Sequence, residues 1–270
     1  MHRHLDGLFH LWRVDDTVAG ESSNTNLAVV SLRTTTTLLL QFILSFHPSS
    51  TRNIQLHLRT SRSEELRAPY RIFPTMDVLL GIRGKDFVLI GTSKAFLHGI
   101  TVVKDTDDKT RALNDHTLLA FSGEAGDTIQ FAEFIQANTQ LYTMRHSSDL
   151  PVSSVASFVR TELASSLRSR HPYTVNMLIG GYDTKKEEPQ LYWLDYLASS
   201  AEIPYAAHGY AQYYCLSILD AHYKKGMGVE EVAGLMKDCH EELKRRMPID
   251  FKGLLVKIVD KDGIRELEGF

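Results

Sequence analysis

The sequence has little cysteine, no long hydrophobic run and no long basic segment. Its two cysteines, Cys215 and Cys239, lie in helix-like patterns, and a chain of 270 residues needs no disulfide framework in order to fold. We therefore expect two buried free thiols in a reducing compartment. The most apolar run, Thr37–Phe46, has about half of the roughly 20 residues that a membrane-spanning helix requires, so it does not predict a membrane span.

The charge of the chain is also small. The formal net charge is −3, and lysine and arginine form no long stripe. Because nucleic-acid binding that is independent of base sequence requires clustered cations, we expect no nucleic-acid partner. Hydrophobic residues make up 43% of the chain and charged residues 23%, which is enough apolar material for a sizeable buried core.

Lysine is absent from residues 1–75, although this segment contains arginine throughout, and lysine becomes common after Met76. The segment is rich in Ser, Thr and His and includes the threonine tract Thr34–Thr37. We expect residues 1–75 to be a low-complexity, poorly ordered extension and residues 76–270 to form the folded domain.

Three interpretations of residues 1–75 stay open. The segment could be a mitochondrial transit peptide, which is typically rich in Arg and Ser and poor in acidic residues. It could be a cleavable propeptide, or upstream sequence translated from a false start. Its acidic residues argue against a transit peptide, and the absence of lysine together with Met76 favours a false start.

Residues 76–270 alternate between strand and helix patterns. Short apolar runs bounded by turn residues predict strands at Val78–Arg83, Phe87–Thr92, Ile100–Val103, Leu118–Ser122, Val175–Ile179, Leu191–Leu194, Glu202–Ala206, Leu254–Val259 and Ile264–Leu267. Apolar residues at helical spacing predict helices after Gly123 and at about Pro151–Arg168, Tyr210–Tyr223 and Val229–Arg246. This order favours an α+β fold in which two stacked sheets lie between helical layers, a four-layer αββα sandwich.

Several local strings occur in this domain in a fixed order. They are Leu80-Gly81-Ile82, Asp108-Lys109, the stretch from Phe121 to Asp127, the stretch from Leu178 to Asp183, and Asp260-Lys261-Asp262-Gly263. Together, over residues 76–270, they resemble the proteasome β-subunit family, whose fold is that of the N-terminal-nucleophile hydrolases. Within that family, Met76-Asp77 and the stretch from Thr128 to Glu133 look most like the beta type-2 kind, which takes the fourth position of the β ring.

In active members of the family a threonine at the free N-terminus attacks the peptide carbonyl, and its own α-amino group accepts the proton. The resemblance places this nucleophile four residues before the first-strand glycine, and counting back from Gly81 gives Asp77. A carboxylate has no proton to surrender and attacks amides poorly. Met76 stands where the family has the glycine used in autocleavage, and Thr75 lies two residues out of register.

Two other positions match the family's catalytic set. Lys109 corresponds to its lysine, and Gly123 corresponds to the glycine whose N–H group binds the oxyanion. Gly123 is equally explained as a turn residue between a strand and a helix. The charged run Lys104–Lys109 also fits a solvated loop. Our hypothesis is that Lys109 instead points inward and pairs with Asp77.

The remaining positions depart from the family's pattern. Ser93 occupies the position at which active members of the family have an aspartate, and Tyr210 occupies the position of a serine. The family's C-terminal Asp/Ser pair corresponds to about Pro248 and Phe251. The resemblance therefore implies a vestigial site with no catalytic residue.

Other polar and aromatic residues carry weaker signals. His208, His222, Cys215 and Asp220 could suggest a metal site, but they straddle a strand-to-helix boundary and should not converge, so we expect no metal or cofactor. The aromatics Tyr205, Tyr210, Tyr213 and Tyr214 fit either the core or an oligomer contact, in which tyrosine is enriched.

The resemblance implies a non-catalytic structural subunit of the 20S proteasome core, which serves ATP- and ubiquitin-dependent protein degradation. Its expected partners are other β subunits beside it and in the opposing β ring, together with α-ring subunits, in an obligate hetero-oligomer. We expect no membrane partner, and a location in cytoplasm and nucleus. One alternative is an active threonine peptidase with residues 1–75 as its cleaved propeptide. Another, an α-type subunit, is disfavoured because no Tyr-Asp-Arg stretch precedes the first strand.

Overall fold

A computed structural model describes residues 76–270 of the protein. The predictions made for residues 1–75, including those for Thr34–Thr37 and Thr75, lie outside the described residues. Across residues 76–270 the chain forms twelve strands and four helices. In that range, none of the helices is long and apolar enough to cross a membrane.

The elements follow the predicted order of strands, two helices, strands, two helices and strands. The strands are β1 (Val78–Arg83), β2 (Phe87–Ser93), β3 (Phe96–His98), β4 (Thr101–Lys104), β5 (Thr110–Asn114), β6 (Thr117–Gly123), β7 (Val175–Asp183), β8 (Glu188–Leu194), β9 (Ser200–Glu202), β10 (Tyr205–Gly209), β11 (Leu254–Asp260) and β12 (Gly263–Leu267). The helices are α1 (Ala125–His146), α2 (Val152–Ser166), α3 (Ala211–His222) and α4 (Val229–Arg246).

Two antiparallel five-stranded sheets form the centre of the domain. Sheet I has the order β10-β1-β2-β11-β12, and sheet II has the order β5-β6-β7-β8-β9. Side chains alternate between the two faces of each strand, as the pleat requires. In β1, for example, Val78, Leu80 and Ile82 pack toward α3 and α4, whereas Leu79 packs between the sheets.

Three buried clusters separate four layers, and this confirms the predicted αββα sandwich. One cluster joins sheet I to α3 and α4, a second joins sheet II to α1 and α2, and the third lies between the sheets. Gly180 of β7 permits the close approach of the two sheets. A Cβ atom at Gly180 would lie 2.8 Å from side-chain carbons of Val88 and Ile90 on the opposing sheet.

The prediction of one strand over Glu202–Ala206 is wrong. The chain changes sheets within that segment, because β9 pairs with β8 in sheet II whereas β10 pairs with β1 in sheet I. Pro204 lies at the crossing and has no N–H group for a ladder hydrogen bond, while its carbonyl accepts one from Arg83 N–H at 2.8 Å. A local apolar pattern cannot reveal a change of partner sheet.

Two short strands were missed from the sequence. The three residues of β3 are fewer than a periodic pattern needs to be visible, and β5 mixes polar and apolar residues. The strand expected at Ile100–Val103 lies one residue later, as β4, because Gly99 takes a left-handed turn with φ of 62° that makes Ile100 part of the β3–β4 turn. Helix α4 has the predicted bounds and ends before Pro248.

Candidate functional site

A cavity of about 740 Å³ gathers four of the predicted positions: Asp77, Lys109, Gly123 and Tyr210. Its lining comes from the residues before β1, the β3–β4 hairpin, the segment before β5, the end of β6 and the first turns of α1. These segments all lie within residues 76–129, and Tyr210 joins them from the start of α3.

Lys109 is buried, with 4% of its surface exposed, so the solvated-loop interpretation of this residue is wrong. Its ammonium group donates hydrogen bonds to the carbonyl oxygens of Ser93 at 2.9 Å and Ala95 at 2.7 Å. Its Nζ also lies 3.6 Å from Asp77 Oδ1 and 3.4 Å from Asp107 Oδ2. A buried ammonium requires such partners, since an isolated charge in the protein interior is strongly disfavoured. The hypothesised pair of Lys109 with Asp77 is within ion-pair distance.

Asp77 occupies the residue directly before β1. Burial raises the pKa of its carboxyl group above the ordinary value, the Lys109 ammonium opposes this rise, and the Asp107 carboxylate adds to it. Lys109 therefore compensates the Asp77 charge incompletely. Asp107, which the sequence analysis did not single out, shares that ammonium. Asp107 lies in the charged run two residues before Lys109, and this position is the signal in the sequence that could have identified it.

Ser93 does not line the cavity, but it makes hydrogen bonds to residues that do or that lie next to them. It is buried, and its hydroxyl accepts a hydrogen bond from the Val78 N–H at 3.2 Å, while its carbonyl accepts one from Lys109. The residue therefore links the start of β1, the end of β2 and the lysine. It performs this role with a neutral side chain at a position where active members of the resembled family have an aspartate.

Gly123 is required by its backbone environment. Its φ is +149°, and a Cβ atom there would lie 2.1 Å from the carbonyl oxygen of Thr174. The same carbonyl accepts a hydrogen bond from the Glu124 N–H at 3.1 Å as the chain enters α1. The interpretation of Gly123 as a turn residue therefore explains its identity without any oxyanion.

The last predicted positions are dispersed. Tyr210 lines the cavity from the start of α3 and contacts Tyr213, with their ring centroids 6.1 Å apart. Phe251 is buried in the core beside α4, and its carbonyl accepts a hydrogen bond from Ala95 N–H at 3.1 Å. Pro248 is exposed, and neither Pro248 nor Phe251 lines the cavity.

The aromatics near Tyr210 divide between the core and the surface. Tyr205, Tyr210 and Tyr214 pack partly buried against the cluster between sheet I and its helices, whereas Tyr213 is 64% exposed. Three of these residues therefore contact the core and Tyr213 does not, and the oligomer-contact interpretation stays a prediction.

The residues considered for a metal site have separate contacts. The His208 ring lies 3.1 Å through Nε2 from the Met177 carbonyl oxygen, and His222 on α3 lies 3.0 Å through Nδ1 from that of Ile218. Cys215 lies against the Cys239 backbone, and both thiols are buried and free. Asp220 accepts a hydrogen bond from Tyr205. Residues 76–270 contain no group of three His, Cys, Asp or Glu side chains placed to hold a metal ion.

The sequence of this chain is similar to those of known proteins. A family model described as "Proteasome subunit" matches residues 77–259. The probable proteasome subunit beta type-4 of Neurospora crassa is 63% identical over 193 residues, which cover 72% of this chain and 95% of that protein. The proteasome subunit beta type-4 of Saccharomyces cerevisiae is 58% identical over 195 residues, which cover 72% of this chain and 98% of that protein.

Relatives that are named beta type-2 are less similar. The proteasome subunit beta type-2 of Oryza sativa is 40% identical over 191 residues, which cover 71% of this chain and 89% of that protein. These identities do not support the predicted assignment to the type-2 kind. Because the family model spans most of the described domain and the relatives are matched over nearly their full lengths, the chain belongs to the proteasome subunit family.

Proposed function

We propose that this chain is a non-catalytic, structural β-type subunit of the 20S proteasome core. The observation that carries the proposal is Asp77, which stands at the start of β1 beside Lys109, in the place that the family reserves for the attacking threonine. The rest of the domain forms a complete αββα sandwich around that site.

Asp77 cannot perform the family's chemistry for two reasons. A carboxylate is a weak nucleophile toward an amide and brings no hydroxyl proton for a general base to remove. The nitrogen of Asp77 is also a peptide nitrogen joined to Met76, so it has no lone pair available to accept a proton as a free amine has. The Lys109 ammonium neutralises carboxylates here instead of activating a nucleophile.

The subunit then contributes to the particle through the surfaces that contact its neighbours. A closed ring of different subunits forms only when each member presents two lateral surfaces that fit its neighbours. The chain's partners are other β subunits in its own and the opposing β ring, and subunits of the α ring. The fungal relatives named beta type-4 support a place among the β-type subunits. Loss of this subunit should block assembly of the particle for ATP- and ubiquitin-dependent degradation.

The deciding experiment is N-terminal sequencing and intact-mass measurement of this chain from the purified particle, before and after treatment with a peptide epoxyketone. We expect no adduct on this chain, while the active subunits of the same particle acquire one and serve as the internal control. A mature chain that begins at a threonine and carries the adduct would establish the alternative, an active peptidase with residues 1–75 as propeptide.

The proposed location is the cytoplasm and the nucleus. The full chain with a C-terminal fluorescent protein should give signal in both compartments when it replaces the untagged subunit in living cells. Signal confined to mitochondria would contradict this location and would support the transit-peptide interpretation of residues 1–75.

A further inference from the structure

The cavity beside Asp77 lies where the described part of the chain begins. Its volume of about 740 Å³ is within the range typical of ligand pockets, and Met76, the first residue that the structure describes, is part of its lining. The ladders of β1 with β10 and β2 begin at Val78 and Leu79, so Met76 and Asp77 lie outside sheet I. The residue before Met76 is therefore joined directly to the cavity wall.

The cavity offers apolar surface to an occupant. Phe96, Leu97 and Ile100 of the β3–β4 hairpin form one wall, and Ile129 of α1 also belongs to the lining. Ile100 is 79% exposed and Ile129 is 45% exposed. Removing such surface from water is favourable roughly in proportion to its area, so an apolar occupant gains most at this wall.

The aspartates of the lining do not select an ionic occupant. Each of them already has a lysine within ion-pair distance, in the pairs Asp77–Lys109, Asp107–Lys104 and Asp108–Lys257. The apolar wall is therefore the feature that distinguishes one occupant from another.

The segment directly before Met76 is apolar, in contrast to the residues that precede it. Residues 59–67 contain five charged residues among nine, whereas residues 68–76 contain one, Arg71. Ile72 and Phe73 are the large apolar side chains closest to Met76 on that side. Because an extended chain spans at most about 3.3–3.6 Å per residue, Phe73 cannot be more than about 11 Å from Met76, which keeps it within reach of the cavity.

Two prolines give this segment a backbone that suits a groove. Pro69 and Pro74 fix φ at about −65° and disfavour a helix, and Phe73, as the residue before a proline, is biased toward an extended conformation. Pro74 also has no N–H group, so it brings no backbone donor that would be left unpaired against an apolar wall.

We propose that Ile72-Phe73-Pro74 of the same chain occupies this cavity, with the Phe73 side chain against the wall formed by the β3–β4 hairpin. Since only Thr75 separates this segment from Met76, its effective concentration at the cavity is on the order of millimolar, which favours it over a free peptide. The chain thereby closes its own vestigial cleft. This contact goes beyond the structural function and involves no catalytic residue.

The test uses the assembled particle that contains the full chain. Ile100→benzoylphenylalanine places a photoreactive ketone at the cavity wall. Met144→benzoylphenylalanine is the matched control, because Met144 is 78% exposed on α1 and does not line the cavity. After irradiation, fragment-ion mass spectrometry identifies the residue to which the ketone has bonded. We expect bonds to residues 72–74 from position 100 and none from position 144.

Two further substitutions make the result specific. With the probe at position 100, Phe73→Ser should reduce cross-linking to residues 72–74 about tenfold, the factor that corresponds to burial of one aromatic side chain. Phe46→Ser is the same change elsewhere in residues 1–75 and should leave the cross-linking unchanged. Should the Ile100 variant fail to assemble, the probe is placed at His98, which is also exposed on the lining.

Bonds from position 100 to a neighbouring subunit, or to no peptide at all, would overturn the proposal, and so would equal effects of Phe73→Ser and Phe46→Ser. A mature chain that begins at Met76 would overturn it as well and would leave the structural function standing. Cross-linking reports the occupant of the cavity, whereas an epoxyketone adduct reports a nucleophile, so failure of one proposal is distinguished from failure of the other.

Discussion

The Nζ atom of Lys109 lies 3.6 Å from Oδ1 of Asp77 in a region largely shielded from solvent. The family's reactive pair of threonine and lysine is thereby replaced by an ion pair of opposite charges. The Lys109 ammonium favours the ionised carboxylate, but burial outweighs this effect and raises the pKa of Asp77, and the pair leaves no group free to attack a substrate. The site's remaining chemistry is therefore electrostatic.

Removing the cation should be strongly destabilising. Lys109→Met leaves the Asp77 carboxylate without its cation and leaves Asp107 with Lys104 alone, and breaking a buried ion pair typically costs about 3–5 kcal/mol. Urea unfolding of the full chain measures the change. The double variant Lys109→Met/Asp77→Asn should recover part of the loss, since it removes one of the uncompensated charges. Strictly additive losses would show that the two residues do not interact.

Removing the Asp77 charge should have the opposite effect near neutral pH. The pKa of Asp77 is raised in the folded state, mainly by burial, so its ionisation above the unfolded value opposes folding. Asp77→Asn should therefore raise the free energy of unfolding at pH 7. The difference from the wild type should vanish below the ordinary pKa of about 3.8, where both side chains are neutral. Asp262→Asn, in an exposed turn, is the control.

His208 should make stability depend on mildly acidic pH. Burial lowers the pKa of its imidazole from 6.5 to about 4, although the Met177 and Leu194 carbonyls favour the charged form. Because the folded value lies below the unfolded one, the stabilising contribution is complete above pH 6.5 and is lost as the pH falls toward 4. The loss amounts to about 3 kcal/mol, at 1.36 kcal/mol per pKa unit.

His208→Gln tests this contribution, since glutamine can still donate to the Met177 carbonyl and does not titrate. Unfolding curves between pH 7 and pH 4 should be flatter for this variant than for the wild type. His222→Gln, which removes an exposed histidine of α3, is the matched control for the substitution itself. An unchanged slope in the His208 variant would mean that the ring binds protons equally in the folded and unfolded states.

The separation of the two sheets should be sensitive to a single methyl group. A Cβ atom at Gly180 would approach side-chain carbons of Val88 and Ile90 to 2.8 Å, so Gly180→Ala should destabilise the domain by about 1–3 kcal/mol. Gly234→Ala adds the same methyl group to α4 in open space and should stabilise by about 0.5–1 kcal/mol. Equal effects of the two substitutions on urea unfolding would contradict this account of sheet packing.

The local sequence determined the order of elements and the loss of the nucleophile. Apolar residues at a spacing of two or of three to four fix strands and helices within a few residues, and α4 has its predicted bounds for this reason. The absence of an attacking hydroxyl depends on a count of four residues from Gly81 to Asp77 in one strand. The first inference uses only neighbours along the chain, whereas the second also needs the resemblance to the family, which supplies that count.

Only the tertiary structure decided how distant residues meet. The charged run around Lys109 fits a solvated loop locally, and its burial follows from contacts with Ser93, Ala95 and Asp77, which lie elsewhere in the chain. The change of sheet between β9 and β10 and the cavity between the β3–β4 hairpin and α1 have the same origin. Periodicity reports which face of an element is buried, whereas the partner of that face is set by the stacking of whole layers.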